Sequence, residues 1–287
     1  MRILVTGAAG MLGKDLVPVL ARKHRVRGAD LADFDVTDRE AAERFIGAER
    51  PEMVIHAAAF TDVEGAEHDP ARVMRVNADG ARNVAAACGF HGARLILIST
   101  DYVFDGTKGA PYVESDRPAP LNVYGRSKLE GERLARQELP GVTVIRTAWL
   151  YSAGGRNNFP AKILKAARKG KSLKVVADEV GSPTWAADLA KAIGQIVDLG
   201  AAGPLYHLAG GGFCSRFEMA MELFSCLGIR DCELVKVSRE NYPANVLRPQ
   251  NSSLDSERIG REGIKPLRNW KESLREFAGM LGSHQVG

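Results

Sequence analysis

The sequence is poor in the features that mark secreted, membrane-spanning or nucleic-acid-binding proteins. Its four cysteines among 287 residues form no Cys-x-x-Cys pair and have no clustered histidines, so neither a disulfide framework nor a zinc site is indicated. No apolar run is long enough to cross a membrane. The net charge is only +4 and no basic run alternates with aromatic residues, which argues against a nucleic-acid partner.

The N-terminal residues carry no sign of a targeting segment. The run Arg2–Thr6 indicates a strand, and the long apolar stretch of a signal peptide is absent. Apolar residues make up 45% of the chain and charged residues 26%, which is the balance of an ordinary globular protein. We therefore expect a cytoplasmic protein with a large apolar core, built as one large domain or two unequal ones.

The first 150 residues alternate short β-branched runs with helical patterns. The predicted strands are residues 3–6, 26–29, 53–56, 95–99 and 143–146, and the predicted helices are residues 11–20, 39–49, 71–88 and 122–139. Apolar strands that are each followed by a helix are typical of a parallel sheet covered on both faces. With right-handed crossovers they predict an α/β protein with a Rossmann-like, doubly wound parallel sheet.

The second half of the chain has a different pattern. Helices are predicted at residues 159–169, 185–198, 215–227 and 270–280, separated by segments rich in glycine and proline. We expect residues 1–150 to form a dinucleotide-binding domain that also carries the catalytic residues. Residues 151–287 should form a smaller C-terminal lobe, mainly substrate-binding, with segments that return to the Rossmann core. No repeat or low-complexity linker separates the two parts, so they should pack closely.

A glycine-rich turn follows the first predicted strand and opens the first predicted helix. Gly7 allows a tight turn, Gly10 lets the backbone approach a pyrophosphate, and Gly13 lets the helix lie against the sheet. Met11 and Leu12 begin the helix, whose N-terminus supplies amide hydrogens and partial positive charge for phosphates. A glycine pattern in this context predicts a dinucleotide-binding site.

Asp30 lies twenty residues beyond Gly10, at the end of the second predicted strand. A carboxylate at this position can bind the adenosine ribose hydroxyls and would repel a 2′-phosphate. The next residue is Leu31 rather than an arginine, so the predicted cofactor is NADH or NADPH with NADH favoured. NADPH would need a basic side chain folded over the ribose.

Further candidate cofactor contacts follow the second and third predicted strands. They are Asp35, Val36, Ala57, Ala58, Ala59 and Thr61. Small residues would let the backbone come close to the adenine and to the ribose–phosphate linkage. For the alanines, tight packing between strands explains the composition equally well.

Tyr124 and Lys128 stand four residues apart in the predicted helix 122–139, so both side chains project from one face. We expect the ammonium of Lys128 to lower the pKa of Tyr124 below the usual value of about 10. Such a tyrosine could protonate a carbonyl oxygen while hydride reaches the carbon, and Lys128 could also bind the nicotinamide ribose. The spacing alone is common in helices, and the glycine-rich turn before it gives it weight.

Hydroxyl side chains end the fourth predicted strand, at the edge of the sheet where doubly wound folds bind ligands. Either Ser99 or Thr100 could hydrogen-bond a substrate carbonyl together with Tyr124, and spacing does not choose between them. Tyr102 and Tyr151 are rival phenols, but neither has a lysine at helical spacing.

Several runs carry a resemblance to a known family. They are residues 99–106, 120–128, 146–151, 157–159, 181–184 and 248–252. Over nearly the whole chain they resemble the extended short-chain dehydrogenase/reductase superfamily, and within it the dTDP-4-dehydrorhamnose reductase family. The Tyr-x-x-x-Lys element is shared by many relatives with other substrates, whereas the last three runs are more specific to this branch.

The resemblance implies NAD(P)H-dependent reduction of the C4 keto group of a nucleotide-linked 4-keto-6-deoxysugar, from dTDP-4-dehydro-L-rhamnose to dTDP-L-rhamnose. The residues it implies are Thr100, Tyr124 and Lys128 for catalysis, Thr100, Asp101, Tyr102 and Trp149 around the sugar, and Asn158 and Arg248 near the nucleotide diphosphate. Trp149 would suit a buried core position equally well, and Arg248 would also suit a solvated loop.

Some relatives of this family share a magnesium ion between subunits through an acidic residue near the C-terminus. Residues 282–287 contain no carboxylate side chain, so no metal site is predicted. The expected partner is a nucleotide-sugar substrate. Helix surfaces could also pair two copies into a homodimer, although the same surfaces could cover the core.

Two other functions fit the sequence. A related epimerase or dehydratase would keep its cofactor bound and regenerate it, but dehydratases usually carry Asp-Glu after the threonine, and here Asp101 and Tyr102 follow Thr100. A non-catalytic, cofactor-binding regulatory subunit of the methionine adenosyltransferase type is the other alternative. Intact catalytic residues weaken that alternative without excluding it.

Overall fold

The computed structural model of the protein describes residues 1–155, 158–242 and 246–283. The strands, in chain order, are β1 (Arg2–Thr6), β2 (Arg25–Ala29), β3 (Met53–His56), β4 (Arg94–Thr100), β5 (Thr143–Thr147), β6 (Leu150–Tyr151), β7 (Ser172–Val176), β8 (Val180–Gly181), β9 (Thr184–Trp185), β10 (Leu205–His207), β11 (Cys214–Ser215) and β12 (Glu233–Val237). Six of them form a central sheet in the order β10-β5-β4-β3-β1-β2, and every neighbouring pair in it is parallel.

The α-helices alternate with these strands. They are α1 (Met11–Leu20), α2 (Arg39–Glu49), α3 (Val63–His68), α4 (Pro70–Met74), α5 (Gly80–His91), α6 (Val123–Glu138), α7 (Phe159–Ala167), α8 (Ala186–Leu199), α9 (Arg216–Leu227) and α10 (Trp270–Ser283). A π-helical turn, Arg75–Asp79, joins α4 to α5. Within the described residues, none of the helices combines the length and the apolar character needed to span a membrane.

Helices cover both faces of the central sheet. Side chains alternate along a strand, and Ile3 and Val5 of β1 accordingly share one apolar core while Leu4 belongs to the other. The first core is completed by α1 and α8, with Leu16 and Ile193 among its buried residues. The second is completed by α2, α5 and α6. The predicted α/β class with a doubly wound parallel sheet is confirmed.

Strand order places a crevice beside β1. The connection from β1 through α1 leads to β2 on one side, and the connection through α2 leads to β3 on the other. The helices of the two connections lie on opposite faces of the sheet. In doubly wound folds ligands bind at such a reversal, outside the carboxyl ends of the strands. The glycine-rich turn after β1 opens at this point.

The predicted bounds of α1 and α2 agree with the structure, whereas the long helix predicted at residues 71–88 is interrupted. The interruption falls at Asn77, whose side chain is buried and binds both backbone groups of Phe60 and the hydroxyl of Ser127. Single π-helical turns are rare in proteins, and those that occur are frequently found at functional sites. Here it ties the loop after β3 to helix α6.

The second half of the chain contributes to two bodies of structure. Helix α8 and strand β10 join the central sheet, β10 as its edge strand beside β5. The remaining elements, including α7, α9 and α10, surround separate apolar clusters, and their strands pair as β6–β9, β7–β12 and β8–β11. The chain first leaves the central sheet near residue 150, and the assignment of two functional domains divided there stays a prediction.

Candidate active site

A cleft of about 1350 Å³ runs along the carboxyl edge of the central sheet. Single small-molecule sites usually occupy about 300–1,000 Å³, so this cleft has room for two ligands side by side. Its walls include every residue that the sequence indicated: Gly7, Gly10, Met11, Leu12, Gly13, Asp30, Asp35, Val36, Ala57, Ala58, Ala59, Thr61, Thr100, Asp101, Tyr102, Tyr124, Lys128, Trp149, Asn158 and Arg248.

The glycine-rich turn is built so that side chains are excluded from it. Gly7 has a φ of +70°, and a Cβ there would lie 2.6 Å from the backbone nitrogen of Ala58. A Cβ on Gly13 would overlap the backbone of Gly7 and Ala8. Gly10 precedes the first turn of α1, whose unpaired amide hydrogens face the cleft. A close-fitting backbone cradle at a helix N-terminus fits the pyrophosphate of a dinucleotide.

Asp30 lies at the end of β2, where the sequence placed it. Its Oδ2 accepts a hydrogen bond of 2.5 Å from the backbone nitrogen of Ala9, so the carboxylate also holds the glycine-rich turn. The carboxylate of Asp35 accepts from the backbone nitrogen and the hydroxyl of Thr37. Two acidic side chains, Asp30 and Asp35, thus line the cleft after β2.

Thr100, rather than Ser99, belongs with Tyr124 in the cleft. Ser99 donates a 2.6 Å hydrogen bond to buried Glu132, which occupies its hydroxyl. The hydroxyl of Thr100 donates to Asp101 Oδ1 at 3.0 Å and also interacts with the phenol of Tyr124. The choice that spacing left open is therefore decided by contacts with side chains far away in the chain.

Lys128 lies one helical turn after Tyr124 and is buried beside it in the cleft wall. Its Nζ donates a 2.7 Å hydrogen bond to the backbone oxygen of Ile98. An ammonium carries three hydrogens, so capacity remains for a ligand. Burial lowers the pKa of Lys128 to about 8, although Glu132 opposes that change.

The expectation that Lys128 lowers the pKa of Tyr124 is wrong for this structure. Burial raises the pKa of Tyr124 above its usual value, and only the Thr100 hydroxyl offsets part of that increase. Asp101 and Tyr102 raise it further because they disfavour a nearby negative charge. The phenol therefore stays protonated, which is the state that a proton donor needs.

Asp101 is a buried carboxyl group at the same strand end. Ser252 donates a 2.5 Å hydrogen bond to its Oδ2, and Thr100 donates to its Oδ1. Burial raises the pKa of Asp101 to about 6, and these two hydroxyls restrain the increase. The carboxyl group therefore accepts from and positions the Thr100 hydroxyl beside Tyr124.

Trp149 has an unusual backbone for a tryptophan, with a φ of +42° in the left-handed region. Its ring packs on Gly181, where a Cβ would overlap the indole. Strained residues of this kind concentrate at functional sites. Trp149 also lines the cleft, so it is more than a core side chain.

The two residues predicted near the diphosphate differ in how they are held. Arg248 donates from Nη1 to the Tyr102 hydroxyl at 3.3 Å and from Nη2 to Glu64 at 3.0 Å. Asn158 caps helix α7 and donates its amide hydrogens to the backbone oxygens of Ser152 and Gly155. A ligand contact by Asn158 would require those bonds to rearrange, whereas Arg248 already faces the cleft.

Other residues in and behind the cleft wall were not indicated by the sequence. His56 ends β3 without lining the cleft, and its Nδ1 lies 2.7 Å from the hydroxyl of Thr6, which does line it. Burial and the charge of Lys128 lower the pKa of His56 to about 3, so the ring is neutral. Arg216 and Glu179 belong to the second half of the chain and carry charge into the cleft. No local sequence pattern distinguishes these residues, because their positions depend on remote contacts.

Several sequence expectations concern parts of the molecule away from this cleft. Tyr151, a rival phenol, is fully buried against Phe277. Within the described ranges, no three histidine, cysteine or acidic side chains cluster as metal ligands would. Residue 157 of the run 157–159, and residues 284–287 of the C-terminal segment, lie outside the described residues.

This chain is similar to known proteins in both sequence and structure. The model of the RmlD substrate binding domain family matches residues 1–282. The dTDP-4-dehydrorhamnose reductase of Mycolicibacterium smegmatis is 39% identical, over 100% of this chain and 88% of that protein. A dTDP-4-keto-6-deoxy-D-glucose reductase of Streptomyces niveus is 36% identical over 99% of both. The structure of Bacillus anthracis dTDP-4-dehydrorhamnose reductase in complex with NADP, 36% identical, has a TM-score of 0.92 and covers 96% of this chain and 98% of that one.

The fold and the cleft define an oxidoreductase of the extended short-chain dehydrogenase/reductase type. The chain belongs to the dTDP-4-dehydrorhamnose reductase family, whose model spans nearly all of it.

Proposed function

We propose that this protein reduces the C4 keto group of dTDP-4-dehydro-L-rhamnose to give dTDP-L-rhamnose, with Tyr124 as the proton donor. One observation carries the proposal: Thr100, Tyr124 and Lys128 line one cleft together with the glycine-rich turn. The coarser activity, reduction of a dTDP-linked 4-keto-6-deoxysugar, is the chemistry that the names of the relatives from M. smegmatis and S. niveus describe.

The reaction needs one hydride and one proton. A nicotinamide dinucleotide held at the glycine-rich turn would supply the hydride to the carbonyl carbon. The phenol of Tyr124 donates the proton to the carbonyl oxygen, and its raised pKa keeps that proton available across the neutral range. The Thr100 hydroxyl has a single hydrogen, which it donates to Asp101 Oδ1 in this structure; with substrate bound it would turn that hydrogen to the carbonyl oxygen and orient it beside Tyr124.

Lys128 has the role of binding the ribose next to the nicotinamide. Its hydrogen bond to Ile98 fixes the ammonium at the end of β4, and two of its hydrogens remain for ribose hydroxyls. The glycine-rich turn would hold the pyrophosphate and Asp30 the adenosine ribose. We expect NADH to be preferred over NADPH because the carboxylates of Asp30 and Asp35 line that part of the cleft.

The sugar would lie against Trp149 and Tyr102, since an aromatic face suits the apolar side of a pyranose. Arg248 would bind the diphosphate through paired hydrogen bonds. Both assignments are supported by the fact that Trp149, Tyr102 and Arg248 line the same cleft as Thr100.

Incubation of the purified protein with dTDP-4-dehydro-L-rhamnose and either NADH or NADPH tests the proposal. We expect NADH absorbance to fall with formation of dTDP-L-rhamnose, identified by NMR of the product. A product with the other configuration at C4 would reassign the sugar while keeping the reductase activity. No oxidation of either cofactor would overturn the proposal and favour a regulatory role.

A further inference from the structure

Arg216 contributes a guanidinium group to the cleft wall. It begins helix α9, and its Cζ lies 3.4 Å from the centroid of the Trp149 ring and 5.1 Å from that of Phe159. All three residues line the cleft. The guanidinium therefore stacks on the indole that is proposed to contact the sugar.

This guanidinium has no hydrogen bond or ion pair with any residue in the described part of the chain. Two carboxylates, those of Asp101 and Glu179, act on the charge of Arg216, but both have other partners. Asp101 accepts from Thr100 and Ser252, and Glu179 lies 4.0 Å from Arg239. By contrast, the guanidinium of Arg248 has both a carboxylate and a phenol as partners.

A partly enclosed positive charge without a counter-ion is unfavourable. Burial lowers the pKa of Arg216 and the neighbouring charge of Arg248 acts in the same direction, while Tyr102, Glu179 and Asp101 oppose the change. An arginine stays protonated even so, and two like charges then face one cleft. Binding of an anion would relieve both the desolvation and the repulsion, so this part of the cleft is arranged to receive negative charge.

The position of Arg216 indicates which anion it would meet. Its charge acts on Tyr102 and Asp101, which follow Thr100 at the substrate end of the cleft. The pyrophosphate of the dinucleotide belongs to the glycine-rich turn at the N-terminus of α1. The anion that reaches Arg216 should therefore be part of the substrate, and the planar guanidinium fork suits phosphate oxygens.

We propose that Arg216 binds the diphosphate of the nucleotide sugar jointly with Arg248, while stacking on Trp149 holds the guanidinium in place. This assignment rests on the proposed nucleotide-sugar substrate. It makes Arg216 a determinant of specificity for diphosphate-linked sugars over neutral nucleosides and free sugars.

Calorimetric titration of wild type, Arg216→Gln and Arg216→Lys with dTDP, thymidine and NADH tests the assignment. Arg216→Gln should weaken dTDP binding by about 10- to 100-fold, the range for loss of a charge-assisted hydrogen bond. Thymidine and NADH affinities should stay within about threefold, because neither ligand would place a phosphate at Arg216. Arg216→Lys keeps the charge without the fork, and should lose less dTDP affinity than Arg216→Gln.

A matched control is Arg275→Gln on helix α10. Arg275 pairs with Glu222 of helix α9 on the surface, with its side chain 62% exposed, and it does not line the cleft. The Arg275→Gln substitution removes one positive charge, as Arg216→Gln does, from a helix that packs against α9. Its dTDP affinity should equal that of wild type, and a comparable loss would mean that Arg216 acts only through the overall charge.

Three results would overturn the assignment. Unchanged dTDP affinity in Arg216→Gln would remove the diphosphate contact. Equal losses for dTDP and thymidine would leave Arg216 with only a packing role beside Trp149. A selective loss of NADH affinity would assign the guanidinium to the cofactor. If wild type binds neither dTDP nor UDP, the proposed nucleotide-sugar function itself fails, which separates the two outcomes.

Discussion

Glu132 and Lys128 lie one turn apart on helix α6, both buried, yet their surroundings differ. Glu132 accepts hydrogen bonds from Ser99 at 2.6 Å and from two nitrogens of Arg146 at 2.9 and 2.7 Å. Lys128 makes one hydrogen bond, to the Ile98 backbone, and its remaining surface faces the cleft. The first group sits in a closed cluster of partners, and the second keeps capacity for a ligand.

The two environments shift the pKa values of Glu132 and Lys128 for different reasons. Burial raises the pKa of Glu132, but Arg146 and Ser99 more than offset it, so the pKa lies below its usual range. Burial lowers the pKa of Lys128 to about 8, and the charge of Glu132 opposes that change without cancelling it. A paired buried charge holds elements together, here α6 to β4 and β5, whereas an incompletely paired one marks a binding site.

The largest expected effect is on turnover, and it comes from Tyr124, which lines the cleft with Lys128. Tyr124→Phe removes only the proton donor, so turnover should fall by about 10²- to 10⁴-fold with NADH affinity nearly retained. Cofactor absorbance measured over time gives the rate, and fluorescence titration gives the affinity. Tyr206→Phe is the control, because that phenol binds Glu262 and lies away from the cleft. Turnover within a few-fold of wild type in Tyr124→Phe would remove its assigned role.

Glu132→Gln tests the closed cluster. Arg146 would lose its carboxylate while buried, which should lower the free energy of unfolding by about 3–5 kcal/mol. Urea unfolding followed by circular dichroism measures this. The folded fraction should keep turnover within about tenfold, a contrast with Tyr124→Phe.

Glu130→Gln is the matched control for that substitution on the same helix. Its partner Arg133 is exposed, so the free energy of unfolding should change far less. If Glu132→Gln proved as stable as Glu130→Gln, the closed cluster would not be what stabilises this region.

Lys128 should make cofactor binding depend on pH. Its side chain is charged below a pKa of about 8 and becomes neutral above it. If the charged form binds the ribose, NADH affinity should be highest below this pKa and fall as pH rises through it. Lys128→Met should bind NADH about tenfold more weakly and lose this pH dependence. A wild-type titration that is flat across this range would contradict the role.

An effect as small as that of Lys128→Met is expected at Asp30. Asp30→Ala should weaken NADH binding by about tenfold, which is the loss expected for hydrogen bonds to a charged group. NADPH binding should be weakened less. NADPH serves as the internal control, because its 2′-phosphate gains from removal of the negative charge. Dissociation constants for both cofactors measure the difference. An equal loss for both would mean that Asp30 only holds the Ala9 backbone of the glycine-rich turn.

Local sequence signals were sufficient for several elements. The bounds of α1 and α2 could be predicted because periodicity and flanking residues act over short range, as where Asp38 caps α2. The predicted helix 71–88 failed at Asn77, since its bonds to Phe60 and Ser127 come from remote segments. Propensity within the helix carries no information about such contacts.

Site chemistry shows the same division. The four-residue spacing of Tyr124 and Lys128 placed both on one face of α6, and they share the cleft. The direction of the Tyr124 pKa was predicted wrongly, because burial outweighs the charge of a nearby lysine. Arg216 carried no recognisable signal, since only the packing of α9 beside Trp149 brings it into the cleft.

By itself the sequence determined the fold class, the family and the position of the glycine-rich turn, because these depend on backbone preference, periodicity and motifs of adjacent residues. Tertiary structure alone decided which strand-end hydroxyl interacts with Tyr124 and that Arg216 stacks on Trp149 in the cleft wall. It also decided whether each ionisable group gains or loses its proton more readily. The physical reason is that desolvation and Coulomb interaction depend on atoms that are close in space, and most of those belong to residues far apart in the chain.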